Sequence, residues 1–129
     1  MNKLSSLVAL VVDDQESMRW IIHGHLKTIG IHQIVQAESG NAALTILSQR
    51  KFDLILSDFS MDNGSGLDLL KAVRANPLLK RVPFIMITSM SDGETVHATL
   101  QAGANNYVVK PVSAAALKQR IEKTMNNLL

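Results

Sequence analysis

The sequence predicts an α/β domain built on a single doubly wound parallel sheet of five strands with five helices. Three observations predict it. Short apolar runs alternate five times with segments of helical periodicity. Three of those runs are almost continuously apolar, as strands are when both faces of a sheet are covered. No linker, repeat or low-complexity stretch breaks the alternation, so residues 1–129 read as one domain with right-handed crossovers, long enough to bury a real core.

The first strand is residues 7–12, LVALVV. The stretch before it carries one Lys, is cut short by two aspartates and has no small-residue cleavage site, so a strand fits better than a secretion signal. From Met18 onward Ile21, Ile22, Leu26 and Ile29 follow a 3.6-residue period, and Gly30 stops the helix. Residues 33–37 are a weaker second run, and Leu44 and Leu47 pack the second helix. Residues 52–57, FDLILS, form the third strand.

Residues 58–66, DFSMDNGSG, are too rich in Gly, Asn and Ser for helix or strand, which marks a functional loop at a strand's carboxyl end. Leu67, Leu70 and Val73 pack a third helix that ends before Pro77. Residues 82–88 are the fourth strand. The capping-box pattern Ser91-Asp92-Gly93-Glu94 opens a fourth helix that ends at Gly103. Residues 106–109 are the last strand, and Leu117, Ile121, Met125 and Leu128 share one face of the last helix.

Composition excludes several classes. A net charge of +2, dispersed along the chain, gives no nucleic-acid footprint. The absence of cysteine rules out a disulfide framework and thiol chemistry, and fits a cytoplasmic setting. No segment approaches the ~20 apolar residues of a membrane span.

In an open parallel sheet every strand ends at the same edge, and ligands bind in the crevice there. Asp13 and Asp14, Asp58, Thr88 and Lys110 each stand just after an apolar run. The crevice would hold three carboxylates, a hydroxyl and an ammonium. Three converging acids repel one another unless a cation lies between them, and Mg²⁺, which takes oxygen ligands from carboxylates, water and phosphate, is the natural occupant. Each residue also has a plainer reading: Asp13 and Asp14 as helix caps, Asp58 as a loop cap, Thr88 as a solvated strand end, Lys110 as a surface charge. Pro111 favours an extended Lys110 and makes a cis peptide accessible, a rigid way to aim the ammonium at the acids.

The spacing of VVDD, LILSD, MIT and YVVKP, together with Gly66 and the segment QAGANNYVVKP, resembles the receiver domain of two-component response regulators, and within it the single-domain chemotaxis type. The likeness runs nearly end to end, and five sites in five segments agree in type and order. It implies the strand order 2-1-3-4-5. It implies that Asp58 accepts a phosphoryl group from a histidine kinase or phosphotransfer domain, as a stoichiometric acceptor that promotes its own phosphorylation and dephosphorylation rather than as an enzyme.

By the same resemblance Asp14 and Asp58 would ligate Mg²⁺ directly, Asp13 through water, and Ser60 by its backbone carbonyl. Lys110 would pair with the phosphate, Thr88 would turn its hydroxyl toward it, and Tyr107 would swing inward as Thr88 moves. The output would be a changed affinity for a separate effector, such as the flagellar motor switch, through a face that includes Thr95, His97, Tyr107 and Lys118, since no effector segment follows the last helix.

Some positions depart from the family pattern. Asp62 stands where many receivers have proline, so the loop is expected to be looser, with Asp62 facing solvent or the metal. Met90, two residues after Thr88, would shield the acyl phosphate and slow its hydrolysis. Other features read as structural: Trp20 would cover the edge of the core, and His23 and His25, two apart on a helix, would not share a metal. The competing readings are a degenerate receiver that only docks partners and an aspartyl phosphatase, whose Asp-x-Asp pattern is absent from Asp13-Asp14-Gln15.

Overall fold

All five apolar runs are strands, and the parity of their side chains decides which helices they meet. A computed structural model describes residues 3–61, 64–89 and 92–126. The strands are β1 (Val8–Val12), β2 (Gln33–Ala37), β3 (Leu54–Asp58), β4 (Phe84–Thr88) and β5 (Asn106–Val109). They form one parallel sheet in the order β2-β1-β3-β4-β5, as expected. The helices are α1 (Glu16–Ile29), α2 (Gly40–Leu47), α3 (Gly66–Ala75), α4 (Gly93–Gln101) and α5 (Ala114–Asn126).

Successive strand residues point to opposite faces. Ala9, Val11, Leu54, Leu56, Ile85, Ile87 and Val108 face one core with Ile22 and Leu26 of α1 and Leu117 and Ile121 of α5. Leu10, Val12, Ile55, Phe84 and Met86 face the other, with Ala43 and Leu47 of α2 and Leu69, Leu70 and Val73 of α3. Burying each of these side chains larger than alanine contributes about 1.5–3 kcal/mol. The register brings the carboxyl ends level: Val12 pairs with Ser57, Asp58 with Ile87, and Thr88 with Val109.

Local chemistry sets the helix ends. Gly30, at φ 109°, donates its N–H to the carbonyls of Leu26 and Lys27 and closes α1 in the left-handed conformation that glycine tolerates best. Ser39 accepts from Ala42 N–H, Ser65 from Asp68 N–H and Ser113 from Ala116 N–H, each a serine N-cap bond. Gly24 lies in the exposed middle of α1, and a Cβ there would meet none of the described residues within 4 Å. Gly24→Ala is therefore expected to raise stability by about 1 kcal/mol, read as a higher urea midpoint at unchanged slope.

The structure corrects several sequence expectations. The segment after Asp58 is not wholly irregular: Ser60–Met61 and Gly64–Ser65 pair as a short antiparallel ladder. Gly66 begins α3 rather than ending the loop, its N–H donating to Phe59 O. Strand β4 starts at Phe84 and not at Val82, since Pro83 has no N–H to give a ladder. A short 3₁₀ turn, Lys3–Ser6, precedes β1.

Trp20 does not cover the core. It is 57% exposed, its ring tilted against His23 at 5.0 Å. The N-cap of α4 is Asp92, with no side-chain cap bond among the described residues, so the helix begins one residue later than a box opening at Ser91 places it. Ser91, Met90, Asp62 and Leu128 lie outside the described residues. No described helix is long and apolar enough to cross a membrane.

Candidate functional site

The level strand ends deliver the predicted side chains to one place. Asp13 and Asp14 follow β1, Asp58 ends β3, Thr88 ends β4 and Lys110 follows β5. One carboxylate oxygen from each of Asp13, Asp14 and Asp58 lies within 4.8 Å of the other two. Lys110 Nζ sits 3.1 Å from Asp58 Oδ1. The Lys110–Pro111 peptide is cis. Lys110 also donates its backbone N–H to Thr88 O at 2.8 Å, which ties β5 to the end of β4.

The three acids differ in environment. Asp13 is fully buried and Asp58 is 6% exposed, while Asp14 is half-buried. Asp13 Oδ1 accepts the N–H of Gln15 at 2.9 Å, a local turn just before α1; the N-cap position is Gln15 itself, so Asp13 is not the helix cap that its plainer reading expected. Its other oxygen, Oδ2, is buried with no hydrogen-bond partner among the described residues. An orphaned carboxylate oxygen beside two further acids is what a cation site offers, and the oxygen-only donor set suits Mg²⁺. The acidic pocket therefore fits a divalent metal.

Burial pushes the Asp13 carboxyl above its ordinary range; the Gln15 N–H opposes the shift, and the charges of Asp58 and Asp14 add to it. A folded-state value above the unfolded one means that ionising Asp13 destabilises the native state. That deficit is absent below pH 3.8 and grows as pH rises through the raised value, persisting at neutrality. Asp13→Asn is expected to melt higher than wild type in EDTA at pH 7, with the advantage shrinking on acidification toward pH 4. With Mg²⁺ present the wild type should gain stability and the variant much less.

Two residues shape this site in ways that the sequence does not show. Gly66 packs so tightly on β3 that a Cβ there would collide with Asp58 O and lie 2.8 Å from Met86 Sδ. Arg19 donates Nη1–H to Asp13 O at 2.7 Å and Nε–H to Gln36 Oε1 at 3.1 Å, pinning the turn that carries the acids. Gly66 is visible in sequence only as a loop glycine. Arg19 is indistinguishable there from a solvated charge.

The remaining predicted residues are placed as follows. Thr88 is buried, 3% exposed, and shares its strand face with Met86, whose neighbour on β5 is Tyr107. Ser60 lies exposed in the short ladder two residues past Asp58. Thr95, His97 and Lys118 lie on α4 and α5.

An open α/β sheet that gathers three acids against an ammonium at its carboxyl edge belongs to the class of domains built to hold a divalent cation and a phosphoryl group. The relatives of this chain make that class specific. The family model for the response regulator receiver domain matches residues 9–122. The chemotaxis protein CheY of Pseudomonas aeruginosa is 41% identical over 114 residues, covering 88% of this chain and 92% of that one. CheY-3 of Vibrio cholerae is 39% identical over 119 residues, 92% of each chain. The structure of chemotaxis response regulator CheY4 of Vibrio cholerae superposes with a TM-score of 0.84 at 29% identity, over 92% of this chain and 98% of that one. The chain belongs to the response regulator receiver family and is a CheY-like, phosphorylation-activated switch of two-component signalling.

Proposed function

We propose that the whole chain, residues 1–129, works as one receiver domain in the cytoplasm and that Asp58 is its phosphoacceptor. The observation that carries this reading is the Lys110 ammonium 3.1 Å from Asp58 Oδ1, beside two further acids. Asp58 attacks the phosphorus of a phosphohistidine on a histidine kinase or phosphotransfer domain. A P–O bond forms, the P–N bond breaks, and the imidazole leaves with its electron pair and takes a proton from solvent. Lys110 pairs with the transferred group, which is held within the ammonium's reach.

Asp14, Asp58 and the Ser60 carbonyl would hold Mg²⁺ directly, with Asp13 acting through water. The metal would neutralise charge on the phosphoryl oxygens during transfer. Thr88 offers its hydroxyl to the new anion, and Tyr107 follows. The added charge, roughly −1.5 to −2 with three strong acceptors, favours a second arrangement of the face made by α4, β5 and α5. Met90 would slow hydrolysis of the acyl phosphate.

The names of the relatives point to chemotaxis, and a separate effector such as the flagellar motor switch would read the changed face. Intact-mass measurement after incubation with acetyl phosphate tests the chemistry. One phosphoryl adduct is expected with Mg²⁺ and none with EDTA; no adduct, or equal labelling in both, would overturn the reading. Capture of a cell extract on beryllofluoride-treated against untreated protein identifies the effector by its difference.

A further inference from the structure

Tyr107 is the only tyrosine in the chain, and it is held by a neighbour that the site chemistry does not use. The guanidinium carbon of Arg120, on α5, lies 5.3 Å from the Tyr107 ring centroid, within the range of a cation–π contact. Arg120 Nη1 also donates to Asn106 Oδ1 at 3.1 Å. The same oxygen accepts the backbone N–H of Tyr107 at 2.9 Å. Asn106 thus fastens the guanidinium to the strand that carries the ring. Both side chains are half-buried, where such a contact is screened less than at full exposure.

We infer that Arg120 is a positioning residue that latches the Tyr107 ring in its resting place and so opposes phosphoryl occupancy of Asp58. This rests on the reading that Tyr107 moves when Thr88 engages the phosphoryl group. A contact present only in the resting arrangement lowers the apparent affinity for whatever favours the other one. The guanidinium lies over the ring while one of its N–H groups reaches Asn106, a double role that a lysine ammonium fills poorly. The sign is diagnostic. Simple loss of a positive charge weakens binding of an anionic phosphoryl mimic, whereas release of a latch strengthens it.

The test uses the lone tyrosine as a reporter. Wild type, Arg120→Ala and Arg120→Lys are labelled with 3-fluorotyrosine, checked for a cooperative melt and titrated with beryllofluoride in Mg²⁺ while the ¹⁹F resonance is followed. Wild type is expected to shift on binding. Arg120→Ala is expected to start nearer the bound position and to reach its midpoint at about three-fold lower beryllofluoride, the size a single cation–π contact supports. Arg120→Lys should fall between.

An unchanged or raised midpoint in Arg120→Ala overturns the latch even where the wild-type resonance shifts normally. A wild-type resonance that stays still while bound beryllofluoride shows its own ¹⁹F signal overturns instead the role of Tyr107 as a moving part, and the latch with it.

Discussion

Asp58→Asn is expected to abolish the acetyl-phosphate adduct while leaving a folded protein. An amide oxygen is a poor nucleophile toward phosphorus and cannot form the acyl phosphate, so the loss should be complete within the detection limit of intact-mass measurement. The fold should survive for a reason visible in the site. The substitution costs the Lys110 pair, but the lysine side chain is 22% exposed and can return to water. It also removes one of three converging negative charges, which relieves Asp13. Urea unfolding in EDTA should therefore place Asp58→Asn at or above the wild type. A persistent adduct in the variant would move the acceptor to another residue.

Gly66→Ala should damage both fold and site. The added methyl collides with the carbonyl oxygen of Asp58, which belongs to the strand and cannot swing aside as a side-chain tip can. Relief requires displacing either the start of α3 or the end of β3. Overpacking of this kind costs on the order of 3 kcal/mol at its upper end. Because the displaced backbone carries Asp58, phosphoryl uptake should fall together with stability. Matching urea unfolding and intact-mass measurements check the pair of effects. A variant with wild-type stability and uptake would mean that the helix shifts without cost.

The architecture was largely legible in the chain because hydrophobic periodicity records it. The runs ending at Val12 and Thr88 are apolar on both sides, which only a covered sheet explains. The site was legible because the ends of parallel strands share an edge, so Asp13, Asp58 and Lys110 could be brought together from positions in sequence alone. What stayed hidden depends on contact rather than on pattern.

Nothing in the sequence distinguishes Arg19, which bonds Asp13 O, from a charged residue facing solvent. Trp20 invited placement against the core on size alone, yet the buried stripe of α1 runs through Ile22 and Leu26 and leaves Trp20 outside. The short ladder after Asp58 is invisible in the sequence because a two-residue pairing leaves no periodicity to read.

Arg74, in the last turn of α3, illustrates the same limit. Its Nε donates to Gly103 O at 2.9 Å, its Nη1 to Val82 O at 2.7 Å and Lys80 O at 3.2 Å, and its Nη2 to Asn105 Oδ1 at 3.0 Å. Burial lowers the guanidinium pKa from its ordinary value, but these acceptors compensate the buried cation. One side chain therefore rivets the connection before β4 to the exit of α4, at the end of the molecule remote from the acids. A displacement of α4 that keeps those bonds leaves its Gly103 end in place and is therefore largest where the helix begins, a few residues past the strand tip at Thr88.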